Sequence, residues 1–339
     1  MNRVPSSLDK PVLEVGPDKV QKKFQELKFG MFVHFGLNTF YSNESSDGDL
    51  PLYNFNPEII DTNQWCMTAK NAGMNYILIN AKSSDGFCNW PSKYSNYTVD
   101  NTPFKTDILS ELINSAEKYG LKTGFSYSLY DGHVFIDQMN EDIYNEYIVN
   151  QVTELLSEYG PLVEIWFDGF WHRQNHGWKA ENGFAVPMPQ FLNSWRNEGA
   201  YRWKWDYLYS IVKNLQPETM VFNNPTRLFR GLPLFPVDGR AAEKGEDLEV
   251  DQPIWNWLGE DVYLPLQIET TLSQKGKKPF YDGNWFWDHS DKSVAKKWKI
   301  SQWLKNAGKL NANLVLNVGP MANGKLRPED EKVLLRFSE

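Results

Sequence analysis

Val163-Glu164-Ile165-Trp166-Phe167-Asp168-Gly169 reads as an apolar strand that ends in a carboxylate followed at once by glycine. In a barrel of alternating strands and helices, the C-terminal ends of the strands form the face that carries chemistry. On that reading Asp168 is a nucleophile or base at the mouth of a pocket. The same pattern also suits an Asx turn or a helix cap that closes the strand. One strand end does not separate the two.

Working outward, a helix-like stretch, a glycine and a β-rich apolar run recur together. Asn71-Ala72-Gly73 precedes Tyr76-Ile77-Leu78-Ile79, and Lys118-Tyr119-Gly120 precedes Thr123-Gly124-Phe125-Ser126-Tyr127. Glu158-Tyr159-Gly160 precedes the strand quoted above, and Asn306-Ala307-Gly308 precedes Leu314-Val315-Leu316-Asn317-Val318. Each glycine is expected to supply a left-handed helix cap. The stretches before them carry helical spacing, as in Leu109, Leu112, Ile113 and Ala116, or Ile148, Val152, Leu155, Leu156 and Tyr159. Phe29 to Phe35 reads as the first strand and Met220 to Asn223 as a later one. Strands alternating with helices imply a parallel sheet covered on both faces. The count of units predicts an α/β fold, a (β/α)8-type TIM barrel with some irregular units.

The polar stretch 170–199 and the proline- and charge-rich stretch 225–265 are expected to be long loops on the mouth side. No domain boundary is visible. Residues 1–339 read as a single catalytic domain with an N-terminal arm over 1–28, and no room for a substantial second domain after the charged helix Pro328–Phe337.

The chain has 339 residues and a net charge of −8, which argues against nucleic acid as a partner. No apolar run approaches the roughly 20 residues of a membrane span. The first twenty residues are polar and proline-bearing, without a signal-peptide core. Cys66 and Cys88 are too few for a disulfide framework and suit buried thiols. Aromatic residues make up 15% of the chain, with 14 Trp. Barrel packing accounts for most of them, and tryptophans near strand ends are candidates for stacking on sugar rings.

Several predicted strand ends share polar side chains. His34 ends the first, Ser83, Ser84 and Asp85 follow the second, Tyr127 and Asp131 the third, and Asp168 the fourth. Four segments then stand in order: Lys28 to Phe40, Asp85 to Tyr94, Trp166-Phe167-Asp168-Gly169 and Asn313 to Pro320. In these the chain resembles the α-L-fucosidases of glycoside hydrolase family 29, along most of its length. Asn38-Thr39-Phe40 is closer to the branch acting on α-1,3/1,4-linked fucose.

The resemblance implies a retaining double displacement on fucosylated oligosaccharides or glycoconjugates, with no cofactor and no membrane partner. Asp168 would be the nucleophile. A second carboxyl about 5 Å away, with a raised pKa, would be the acid/base. The best match is Glu243, in Ala241-Ala242-Glu243-Lys244-Gly245, and Glu269 is the alternative. His34, Glu44, Tyr127 and Trp285 match sugar-pocket residues. Ser83-Ser84 replaces a His-His pair and Ser45 a tryptophan, which implies a roomier pocket. The chain is expected to lack the family's C-terminal β-sandwich and to carry a longer loop after Phe170.

Two functions of different class follow. One is an exo-glycosidase on terminal α-L-fucose or a relative such as α-L-galactose. The other is a glycan-binding protein with an impaired site, motivated by the serine replacements. His172 and His176 stand four apart, but in a non-helical context without a third ligand, so no metal site is expected. The sequence leaves location unknown. A periplasmic or secreted protein fits if a signal peptide was removed.

Overall fold

The computed structural model describes residues 15–134, 141–169, 203–224, 230–233, 235–276 and 282–337. Its strands are β1 (Phe29–Val33), β2 (Tyr76–Lys82), β3 (Lys122–Ser128), β4 (Glu164–Asp168), β5 (Met220–Asn223), β6 (Arg240–Glu243), β7 (Ile254–Trp257), β8 (Glu260–Tyr263), β9 (Leu266–Thr271) and β10 (Asn313–Val318). Eight of them form one sheet in the order β5-β4-β3-β2-β1-β10-β9-β6, with every pair parallel. The remaining two make an antiparallel hairpin. The sheet's edges meet through Asp238. Its N–H donates to Val221 O at 2.9 Å, and its carboxylate accepts the Val221 N–H at 2.9 Å. The result is a nearly closed (β/α)8-type barrel, as the alternation of elements predicts.

Alternation along the strands divides the core in two. Phe32, Leu78, Trp166, Phe222 and Val315 pack together inside the barrel. Phe24 joins them from α1 (Lys19–Gln25), its ring 5.2 Å from that of Phe222. Met31, Ile77, Ile79, Ile165, Phe167 and Leu316 belong to the larger outer cluster under the helices. Burying such a side chain contributes about 1.5–3 kcal/mol. The outer layer includes α2 (Leu37–Tyr41), α3 (Thr62–Asn71), α4 (Ile108–Tyr119), α5 (Glu141–Glu158), α6 (Trp205–Leu215), α7 (Lys297–Lys309) and α8 (Pro328–Leu335). Among the described residues no helix is long and apolar enough to cross a membrane. Both cysteines are buried free thiols.

Gly120 caps α4 with φ +65°, as expected. The expectation for Gly308 fails. It lies inside the last turn of α7, and Asn311 takes the left-handed conformation instead, with φ +51°. Asparagine tolerates that region better than other residues with a Cβ. The expected loop 225–265 also needs correction, because it contains barrel strand β6 and the hairpin β7–β8. Short strands among prolines and charges carry no periodicity to announce them. Arg240 at the start of β6 is held by both oxygens of Asp251, at 2.8 and 2.7 Å.

A polar layer crosses the barrel floor. The Tyr76 hydroxyl donates to Gln267 Oε1 at 3.0 Å, and Gln267 Nε2 donates to Glu164 Oε1 at 2.9 Å. Burial pushes the Glu164 carboxyl up to about 8. Folding thus binds a proton that the unfolded chain has lost above about pH 4.3. Stability on this account is greatest at low pH and falls as pH rises toward 8. Glu164→Gln, which mimics the protonated acid, is expected to flatten the decline in Tm between pH 5 and pH 8. An unchanged slope in thermal unfolding would exclude Glu164 as its source.

Candidate active site

Asp168 is the last residue of β4, and Glu243 the last of β6. Between them Asn224, one residue past β5, aims one amide nitrogen at both carboxylates. Its Nδ2 stands 3.0 Å from Glu243 Oε2 and 3.5 Å from Asp168 Oδ1. The two oxygens therefore lie no further apart than those two distances laid end to end. Burial, and next the charge of Glu243, push the Asp168 carboxyl up to about 7 against the help of the Gly169 N–H and Asn224. Two carboxyls this close resist double ionisation, so the pair retains a proton near neutrality.

The second group centres on His34, just beyond β1. Thr271 at the end of β9 donates its hydroxyl to Asn284 O at 2.8 Å. It must then accept from Asn317 Nδ2, which also donates to Trp285 O at 2.9 Å. That orientation turns Asn317 Oδ1 toward His34 Nδ1 at 2.7 Å, so Nδ1 carries the hydrogen and Nε2 is an acceptor. Burial lowers the His34 pKa to about 4, which keeps the ring neutral above that pH. The Trp285 ring lies 5.2 Å from the His34 ring, and Lys244 Nζ is 5.2 Å from the Trp285 ring centre. Glu44 fixes this loop by accepting the N–H groups of Trp285 and Phe286 at 2.8 and 3.2 Å. Burial pushes its own carboxyl up to about 8. Lys244, next to Glu243, joins the two groups. It holds a left-handed backbone with φ +54°.

The family model described as alpha-L-fucosidase matches residues 51–230 of the chain. The chain belongs to the α-L-fucosidase family. Alpha-L-fucosidase 1 of Arabidopsis thaliana is 28% identical over 97% of the chain and 60% of its own length. A putative alpha-L-fucosidase 1 of Oryza sativa subsp. japonica is also 28% identical over 97% of the chain. The chain thus spans about 60% of the length of these relatives. Among solved structures, a glycoside hydrolase 29 family member from an unknown rumen bacterium superposes with TM-score 0.78. It is 26% identical over 95% of this chain and 56% of that one. Alpha-L-fucosidase isoenzyme 1 of Paenibacillus thiaminolyticus gives TM-score 0.74 at 25% identity, covering 94% of this chain and 74% of that one.

Within this α-L-fucosidase-family barrel, the remaining candidates fall in different places. Ser83 and Ser84 stand half-buried just beyond β2, where the Ser83 hydroxyl donates to Asp85 at 2.5 Å. Tyr127 does not line the interior. It lies fully buried on the outer face of β3, with its hydroxyl on Gln151 of α5 at 2.7 Å. Alternation explains this, since Gly124 and Ser126 take the inward positions of that strand. Glu269 pairs in register with Glu243 but sits deeper, fully buried, accepting the Ala242 N–H at 3.0 Å. Its burial pushes its pKa well above the ordinary carboxylate range. His133 and His289 are loop residues, bonded to Gly48 O and Ser42 Oγ. Among the described residues no three His, Cys, Asp or Glu are arranged to hold a metal ion. His172 and His176 lie outside those residues. Sequence reasoning missed Asn224, Thr271, Asn317 and Lys244 as site residues. Asn224 and Lys244 stand just beyond strand ends, Thr271 at one and Asn317 one residue short of one, which was the available signal.

Proposed function

We propose that the protein is a retaining exo-glycosidase that releases terminal α-L-fucose, or a close relative such as α-L-galactose, from oligosaccharides or glycoconjugates. The observation that carries this reading is the single Asn224 amide shared by Asp168 and Glu243. It holds the nearest oxygens of the two closer than most of the roughly 6.5–9.5 Å separation used by inverting pairs. That bound lies at the lower edge of the inverting range and admits the roughly 5–5.5 Å of a retaining pair.

In the proposed cycle Asp168 attacks the anomeric carbon while Glu243 gives its proton to the departing glycosidic oxygen. A sugar–aspartate ester forms as the glycosidic bond breaks. Glu243, now ionised, takes a proton from water, whose oxygen displaces Asp168 and restores the starting charges. The cycle requires Asp168 in its ionised form, and its raised pKa sets a condition on that. One proton on the pair, resting on Glu243, removes the neighbouring charge and lets Asp168 ionise. His34 Nε2 is suited to accept a sugar hydroxyl, Trp285 to cover the ring, and Glu44 to hold Trp285 in place. Ser83 and Ser84 give the pocket hydroxyls of short reach and room for a substituent at C6.

Proton NMR of a digest of 4-nitrophenyl α-L-fucoside tests the reading, and the α anomer is expected to appear first. The β anomer first would refute retention. No release from either the fucoside or the α-L-galactoside would refute the activity. Glu243→Ala is expected to lower kcat/KM on an unactivated glycan by about 10²–10⁴-fold. Loss of the first step should be much smaller with 4-nitrophenol, which leaves without a proton. Equal losses on both substrates would remove Glu243 from the acid role.

A further inference from the structure

We propose that the groove between α7 and α8 is a second carbohydrate site that binds an anionic polysaccharide, one carrying sulfate or carboxylate groups. The inference rests on the glycosidase reading and extends it to the charge class of the polymer.

The groove is an open trough of about 1000 Å³, and Lys296, Lys297, Lys305, Lys332 and Arg336 stand along it. Glu329 is the single acid among its lining residues. This concentration of cations runs against a chain whose net charge is −8. All five cationic residues are exposed, and exposed charges reach about a Debye length, roughly 10 Å at 0.1 M salt. The density of positive charge therefore favours a ligand with repeated negative groups over one with a single group. Trp298, 67% exposed, gives the same groove an apolar face. An indole left in water at such cost suits the C–H face of a sugar ring.

Position supports the same ligand. Helices α7 and α8 follow the adjacent parallel strands β9 and β10, so both begin on the mouth side of the barrel. The groove starts at Val294 and Ala295, on the loop that carries Trp285. That loop is pinned where Ala295 N–H donates to Leu272 O at 2.8 Å. Arg327 holds it a second time through the carbonyls of Asp291 and Ser293, both at 3.1 Å. A polymer whose terminal sugar enters the pocket can leave past Trp285 along these cations.

Affinity electrophoresis and calorimetry with dextran sulfate, polygalacturonate and unmodified dextran test the site. The protein should bind at least one anionic polymer, more weakly as salt rises, and should not bind dextran. The double variant Lys305→Glu/Lys332→Glu should lose about tenfold or more in affinity, as expected when charge complementarity is reversed. Trp298→Ala should lose several-fold. All variants should hydrolyse 4-nitrophenyl α-L-fucoside within about twofold of the parent. Unaltered binding by the double variant would overturn the proposal, as would equal affinity for dextran, tighter binding of single-stranded DNA, or failure to bind either anionic polymer. If polymer binding follows these expectations while the small glycoside is not cleaved, the groove stands and the glycosidase reading falls.

Discussion

Asp168→Ala is expected to abolish fucoside hydrolysis, lowering kcat by at least on the order of 10³-fold, as removal of a covalent nucleophile does elsewhere. The fold should survive. Asp168 is half-buried at a strand end, and its carboxyl is pushed up to about 7 chiefly by burial, so removing it relieves a cost at neutral pH. Tm at pH 7.5 should hold or rise. The variant also leaves a gap beneath the anomeric carbon that a small anion can fill. With azide and an activated α-L-fucoside, product should reappear as the inverted β-azide. Glu243→Ala should instead give the retained α-azide, because there azide replaces water after the ester has formed. Exchange of these two outcomes would exchange the roles. Wild-type rates in Asp168→Ala without azide would end the claim for a nucleophile at this position.

The barrel was legible because its strands bury both faces and its helices are amphipathic, so residues such as Ile77, Ile165 and Leu314 advertise themselves. The strand ends carrying His34 and Asp168 were legible for the same reason. Strand β6 was not, since Arg240-Ala241-Ala242-Glu243 has no apolar run and is identified by its partner β9. Glu243 could therefore be chosen by resemblance but not placed. Tyr127 shows the opposite failure. Its position near a strand end was correct, but the inward or outward sense depends on strand phase, which a single residue does not reveal.

Asn224, Thr271 and Asn317 were illegible for a third reason. Each acts by joining elements far apart in sequence, as Asn317 on β10 joins His34, Thr271 and the Trp285 carbonyl. Single-sequence spacing contains no record of such junctions. The same holds for Glu44, which matches a pocket residue by sequence yet spends both oxygens on the backbone of residues 285 and 286. In the proposed function, Glu44 acts through the placement of Trp285.

Lys82→Met is expected to destabilise the protein by about 3–5 kcal/mol, the usual consequence of removing one partner from a buried ion pair. An irregularity in the β2–β3 register, between Asn80 and Lys82, brings Lys82 beside the outward-facing Tyr127. Its ammonium donates to Tyr127 Oη, Asp131 Oδ2 and Gln151 Oε1 at 3.0, 3.1 and 3.2 Å, and both charged side chains are fully buried. The Tyr147 hydroxyl and the N–H groups of His133 and Val134 complete the shell of Asp131. Burial alone would raise the Asp131 pKa. The Lys82 charge and these donors outweigh it, and the net shift is downward. The contribution of Asp131 is thus complete above the ordinary carboxylate range and is lost as pH falls through its lowered native value. Chemical denaturation of Lys82→Met at pH 7 should show the deficit, and Asp131→Asn in the Lys82→Met background should recover part of it by removing the stranded charge. A loss below about 1 kcal/mol, or no recovery in the double variant, would show that the pair does not hold the loops after β2 and β3 together. Because Ser83 and Ser84 stand on the first of those loops, KM for the fucoside should rise in the single variant even where the protein remains folded.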